Sequence, residues 1–172
     1  MELPIVTVPN KILRQKAKTV VKLDSRVIEL AENMSQTLRT QQDPEGVGLA
    51  APQVGQSLRV IVAKEVLAEN TESKIIALIN PKIIKKSREQ ELGWEGCLSI
   101  PNQFGQVDRA QKVKVKFLDT NGKKRVVNTG GFLARVLQHE IDHLDGILFT
   151  DKVEGKIYSG EELEEVTKQC AI

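Results

Sequence analysis

Leu133-Ala134-Arg135-Val136-Leu137-Gln138-His139-Glu140-Ile141-Asp142-His143-Leu144 decides how the rest of the chain is read. Leu133, Val136, Leu137, Glu140, Ile141 and Leu144 recur at the three- and four-residue steps of a helix. The helical period sets in from Thr129, after a segment with the period of a strand. The chain has 2 histidines, and both lie here, as His139 and His143. Four residues apart on a helix, two imidazoles share one face and can grip a single divalent ion. Glu140 sits one position along, able to reach a water on that ion without ligating it. Chance places two residues four apart in about 1% of arrangements, and requiring glutamate in the second slot lowers this to roughly 0.1%. A metal site on this helix is therefore the reading carried forward.

Two imidazoles need a third protein ligand and an open position before a metal can do chemistry. In a metzincin-type protease the motif continues to a glycine and a third histidine; here Gly146 is in place but Phe149 stands where that histidine would be. A thermolysin-type protease uses a downstream glutamate, for which Glu154, Glu161 and Glu162 are available. The other candidate is Cys97, in Glu95-Gly96-Cys97-Leu98-Ser99. A lone cysteine is more often a small apolar residue of the core than a ligand. Its glycine and serine neighbours in a polar segment beside Trp94 argue against that, but spacing leaves the choice open.

Outward from the helix, Asp24 and Ser25 can cap an earlier helix in which Val27, Leu30, Ala31, Met34 and Leu38 repeat, ending near Gln42. A glycine-rich stretch follows, Gly46-Val47-Gly48-Leu49-Ala50-Ala51-Pro52-Gln53. Ser57–Ala63 and Lys74–Asn80 are rich in branched aliphatics and read as strands. Lys112–Leu118 alternates Val113, Val115 and Phe117 with Lys112, Lys114 and Lys116, and Asn121-Gly122 turns it into Arg125–Asn128. The lysine face reads as solvated. Ser159 with Glu162 resembles a capping box for a short acidic helix near 159–169. Helix, several strands and helix, joined by hairpins, predict an α+β fold with mostly antiparallel sheet packed around the central helix that carries His139 and His143.

A length of 172 residues suits one domain spanning 1–172. Lys plus Arg is 25 and Asp plus Glu 23, a formal charge of +2, which gives no case for nucleic acid or a membrane surface as partner. The longest apolar runs, such as Ile75–Ile79, are far too short to span a bilayer. Met1-Glu2-Leu3-Pro4-Ile5 lacks the basic and apolar segments of a secretory signal. Of the 2 cysteines, Cys97 and Cys170, neither is needed as a disulfide at this size, so a reducing cytoplasmic setting is expected. Aromatics are 3%, too few for base-stacking platforms.

The segments Gly46–Gln53, Glu95–Ser99 and Gln138–Leu144 resemble, in order, the three motifs of peptide deformylases. The likeness continues through Ile100-Pro101, Arg109 and Gly146–Phe149 and covers most of residues 1–152. It implies an α+β fold with antiparallel sheets around a central helix, and as substrate the N-formylmethionine end of nascent polypeptides. It implies that Cys97, His139 and His143 hold one divalent ion, iron(II) in the cell, with zinc, nickel or cobalt able to replace it. Glu140 then serves as general base and acid, while the Gln53 side chain and the Leu98 backbone N–H stabilise the charge on the formyl oxygen. Gly46, Val47 and Gly48 correspond to a segment that pairs with the substrate as an added strand. Val47, Phe132 and Val136 correspond to the methionine pocket, although periodicity alone makes them core residues. Glu95 and Arg109 match an ion pair beside that pocket; by themselves each reads as a solvated charge. Transient ribosome association is also implied. Well-known bacterial members dock through a basic C-terminal helix, whereas Glu161, Glu162, Glu164 and Glu165 make this end acidic. The competing classes are a metal-binding module without turnover and an endopeptidase. Metal analysis beside an assay on a formylated peptide separates them.

Overall fold

The carboxylate of Asp24 accepts a hydrogen bond from the Val27 amide at 3.2 Å and starts α1, Ser25–Thr40. The computed structural model describes residues 1–42, 45–65 and 74–169. Among these, the strands are β1 (Gly48–Ala50), β2 (Val60–Glu65), β3 (Lys74–Lys86), β4 (Gln90–Cys97), β5 (Ile100–Ala110), β6 (Lys112–Leu118) and β7 (Lys124–Gly130). Two further helices are α2 (Gly131–Leu144) and α3 (Gly160–Gln169). One sheet has the order β1-β2-β3-β6-β7, and β4 and β5 form a separate hairpin. Every strand pairing is antiparallel. The α+β architecture expected from the sequence is the one found.

The five-stranded sheet is sandwiched where it matters for the site. Val27, Ala31, Met34 and Leu38 of α1 pack on Val60 and Val62 of β2, while Ala134, Leu137, Ile141 and Leu144 of α2 pack on Ile61 and Ala63 from the other side. That is why Val60-Ile61-Val62-Ala63 is continuously apolar instead of alternating. Val113 and Val115 of β6 join the α2 side, and Lys112, Lys114 and Lys116 face solvent. Burial of each Val, Leu or Ile side chain contributes about 1.5–3 kcal/mol, so α2 is held rigidly along most of its length.

Three elements differ from expectation. The strand expected at Ser57–Ala63 begins at Val60, because Ser57 and Arg59 are hydrogen-bonded to Lys18 instead (3.0 and 2.9 Å). β3 runs past Asn80 to Lys86 through a bulge: Asn80 takes φ 51°, and its side-chain amide bonds both backbone groups of Val20 (2.9 and 2.8 Å). The β4–β5 hairpin has no alternating apolar signature. It is held by its own register and by a C-terminal strap that bridges Val107 to Val153 and Phe104 to Tyr158, with Trp94 edge-on to Tyr158 at 5.4 Å. The expected capping box closes reciprocally: the Ser159 amide donates to Glu162 Oε2 (2.9 Å) and the Glu162 amide to Ser159 Oγ (3.2 Å). Cys170 lies outside the described residues, and no described helix is long and apolar enough to cross a membrane.

Candidate active site

α2 presents His139, Glu140 and His143 on consecutive turns toward the end of β4, where Cys97 stands at the edge of the hairpin. Cys97 Sγ lies 3.2 Å from His143 Nε2, and the two imidazole rings meet edge to face at 4.9 Å. One ligand atom from each of Cys97, His139 and His143 falls within 4.8 Å of the others. Nitrogen and sulfur ligands around one tetrahedral ion, with bonds of about 2.1 and 2.3 Å, sit about 3.4–3.6 Å apart. The three residues therefore fit a divalent ion. Glu154, Glu161 and Glu162 do not join them, and Phe149 stacks on the His139 ring at 6.2 Å.

Behind the ligands stands a buried ionic relay. His139 Nδ1 contacts Glu95 Oε2 at 2.9 Å, which directs its other nitrogen toward Cys97. Glu95 is gripped bidentately by Arg109 (2.9 and 2.9 Å) and also by Arg135 (3.0 Å). Arg109 continues to Asp142, which also receives Lys152 at 2.7 Å. Glu95 and Arg109 are 6% and 4% exposed, so the reading of each as a solvated charge is set aside. Burial alone would raise the Glu95 carboxyl, but hydrogen bonds from Arg109 and His139 outweigh it and hold the group down at about 2. Arg109→Ala would strand Glu95 without its main counter-ion in the interior. The expected loss is about 3–5 kcal/mol of stability, read as a lower midpoint in urea at unchanged slope.

Arg135 is the residue that the sequence reading missed. Its guanidinium donates to Glu95, to the carbonyls of Val107 (2.8 Å), Gly93 (3.3 Å) and Glu91 (2.6 Å), and so ties the hairpin to α2. A Cβ on Gly93 would come within 2.8 Å of Arg135 Nη2. The available signal was a cation four residues before His139, on the same helix face.

Glu140 is buried, and its Oε2 has no hydrogen-bond partner among the described residues. Burial pushes its carboxyl up to about 7, against the opposing charge of His139. Burial also lowers His143. It would lower His139 too, but hydrogen bonds to Cys97 and Glu95 raise that ring well above an ordinary histidine.

Gly48 is what makes room for Glu140. A Cβ there would sit 2.8 Å from Glu140 Cγ and closer still to Oε1. Gly48→Ala is expected to displace the carboxylate, lowering kcat at least about tenfold at a stability cost of about 1–3 kcal/mol. Equal metal content and a parallel loss of kcat would show that the carboxylate, not the ligand set, has moved. Gly46 is likewise packed, against Leu38 and Leu98. Gln53 sits in the short 3₁₀ turn Ala51–Val54, where its Oε1 accepts from the Ala50 amide (2.7 Å) and its Nε2 donates to Cys97 Sγ (3.4 Å). The same side chain thus anchors the loop and points a donor toward Cys97. Leu98 lies in the turn between β4 and β5, outside the strand ladder.

These groups surround a cavity of about 280 Å³. Gly46, Val47, Gly48, Gln53, Cys97, Leu98, Phe132, Val136, His139 and Glu140 all line it, and His143 stands behind His139. Phe132 is 54% exposed at the mouth, and Val136 is buried. β1 forms an edge of the large sheet, paired on one side by β2 alone.

A model of the family described as "Polypeptide deformylase" matches residues 2–157. A "Peptide deformylase" of Syntrophomonas wolfei is 49% identical over 148 residues, 86% of this chain and 91% of the relative. The crystal structure of a class I type b peptide deformylase from Acinetobacter baumannii bound to Met-Ala-Ser superposes with a TM-score of 0.78, at 38% identity over 89% of this chain and 99% of that one. A peptide deformylase from Synechococcus elongatus in complex with actinonin gives a TM-score of 0.80, at 38% identity over 97% and 85%. The cavity, its histidine helix and these likenesses agree: the chain belongs to the polypeptide deformylase family and is an enzyme that removes the formyl group from the N-terminus of new polypeptides.

Proposed function

We propose that the reaction is a metal-assisted hydrolysis at the Cys97–His139–His143 centre, with N-formylmethionyl peptides as substrate and Glu140 as general base and acid. The observation that carries it is the convergence of three ligand atoms within 4.8 Å beside a buried carboxylate whose Oε2 is unpaired among the described residues. A divalent ion bound there would make a water acidic enough to deprotonate near neutrality and would polarise the formyl carbonyl. Glu140 takes the proton of the attacking water and delivers it to the departing amine. As negative charge grows on the formyl oxygen, Gln53 Nε2 and the Leu98 N–H donate to it. Glu95, fixed by Arg109 and Arg135, holds the His139 ring in orientation.

Val47, Phe132 and Val136 receive the methionine side chain, for which an apolar, adaptable pocket is suited. The peptide lies along the edge of β1 at Gly46–Gly48 as an added strand. The relative solved with Met-Ala-Ser bound supports that class of ligand. The thiolate and imidazole set accepts iron(II), which we assign to the cell, and also zinc, nickel or cobalt. Residues 1–172 act as one cytoplasmic catalytic domain that associates transiently with the ribosome.

The test is a matched set of substrates. Formate is expected from formyl-Met-Ala-Ser, with little reaction of the acetyl analogue, because the larger acyl group clashes beside the metal. No cleavage of casein is expected. Casein cleavage dependent on Glu140, without formate release, would move the chemistry to the endopeptidase class.

A further inference from the structure

Glu95 already has both carboxylate oxygens on Arg109, at 2.9 and 2.9 Å, so a second buried cation is not needed to neutralise it. Arg135 is there nonetheless. Its side chain is 14% exposed and is fixed by four acceptors, Glu95 Oε1 and the carbonyls of Gly93, Val107 and Glu91. Along α2, Gly131, Arg135 and His139 follow one another at steps of four. Along β4, Glu91, Gly93 and Glu95 follow at steps of two on one face. Helix and hairpin thus form a trough, and Arg135 lies across it, its guanidinium against the bare backbone of Gly93.

A cavity lies on each side of this arginine. The one toward His139 is the cavity of about 280 Å³ already described. The other, of about 160 Å³, is lined by Glu91, Arg109, Ala110, Gln111 and Gly131. Phe132 and Arg135 line both. Phe132 is half-exposed at the mouth, which leaves Arg135 as the inner part of the partition. On the helix side the second cavity is unfilled, since a Cβ on Gly131 would meet nothing within 4 Å.

We propose that Arg135 is a specificity-determining residue: it is the end wall of the pocket for the first side chain of the substrate, and the second cavity is a continuation that this wall closes off. The inference rests on the reading of Val47, Phe132 and Val136 as the methionine pocket. The wall is rigid, because moving the guanidinium would break its hydrogen bonds to four acceptors and strand a buried charge. It is also polar, so an apolar chain gains nothing by pressing the guanidinium away from its acceptors. An unbranched side chain of methionine's length is therefore accepted and a much longer one refused. With the wall removed, a longer alkyl chain can run on into the second cavity, and each further CH₂ taken out of water strengthens binding about fourfold.

The test is calorimetric binding of two peptide hydroxamates, alike except for a butyl or an octyl first side chain, to the metal-loaded full chain. The parent should bind the octyl compound at least about tenfold more weakly than the butyl one. Arg135→Ala should reverse that order, favouring the octyl compound by at least about tenfold. Arg135→Lys, whose stem spans the same gap, should keep the parent order. Ala110→Leu in the Arg135→Ala background fills the second cavity and should cancel the gain. Formate release from formyl peptides with the same two side chains should follow the same ratios, although the lost contact to Glu95 lowers both rates. Equal affinity of the parent for both compounds overturns the proposal. Equal weakening of both in Arg135→Ala does so too, leaving Arg135 as a support for Glu95 alone, as does an octyl gain that Ala110→Leu fails to remove. Where Arg135→Ala does not fold, the order shown by the parent and by Arg135→Lys decides. Absence of formate release from formyl-Met-Ala-Ser, with the binding orders intact, would count against the reaction and leave the wall standing.

Discussion

Glu140→Gln is expected to keep the fold and the metal while losing about 10²–10⁴-fold or more in kcat/KM. The amide is isosteric, so the space cleared by Gly48 still accommodates it, and no ligand to the ion is removed. What disappears is the capacity to take a proton from the attacking water. The sign of the pH dependence follows from the same group. The base works deprotonated, so the rate of the parent enzyme falls as pH drops through the Glu140 pKa. Burial sets that value at about 7 in the metal-free protein, and a bound cation draws it lower. The variant should lose this acidic limb as well as its rate. Near-parental turnover, or loss of metal, would give Glu140 a different role.

Cys97→Ala should cost more than about 100-fold in metal affinity, since even the loss of a partner that merely orients a ligand costs 10–100-fold. His139→Ala and His143→Ala should match it, and Cys170→Ala should leave affinity unchanged. Hydrogen bonds to Cys97 and Glu95 raise the His139 ring well above an ordinary histidine, against the effect of burial. A ligating imidazole must be free of its extra proton, so affinity should rise with pH through the titration of His139, and calorimetry in buffers of different ionisation enthalpy should report proton release. Divalent affinities rise from iron(II) toward zinc, so aerobic purification is expected to yield zinc or nickel protein. Iron-loaded enzyme should fade in air and survive anaerobic handling, because a thiolate beside iron is open to oxidation. Undiminished affinity in Cys97→Ala would place the third ligand elsewhere.

The histidine helix was legible because its period and its His-Glu-x-x-His spacing are both local. So were α1, with Asp24 as cap, and the hairpin at Asn121-Gly122. The β4–β5 hairpin was not, since Gly93, Gly96 and the charges around them give no alternation. Its stability comes from Arg135 and from the strap at Val153 and Tyr158, contacts distant in sequence. Cys97 as third ligand could not be separated from Glu154 or Glu162 by spacing, because a turn between strands sets its position. Gly48 was legible only as part of a segment that pairs with the substrate; its neighbour, the Glu140 carboxylate, emerged from the packing of β1 on α2.

The central claim is that Cys97, His139 and His143 together hold one ion with a position left open for substrate. X-ray absorption at the metal edge of the zinc- or iron-loaded full chain measures that ligand shell directly. One sulfur at about 2.3 Å, two imidazole nitrogens at about 2.0–2.1 Å and one exchangeable oxygen are expected, with the oxygen replaced when a methionine-like hydroxamate binds. A shell without sulfur, or one closed by two sulfurs with no exchangeable position, would contradict the account.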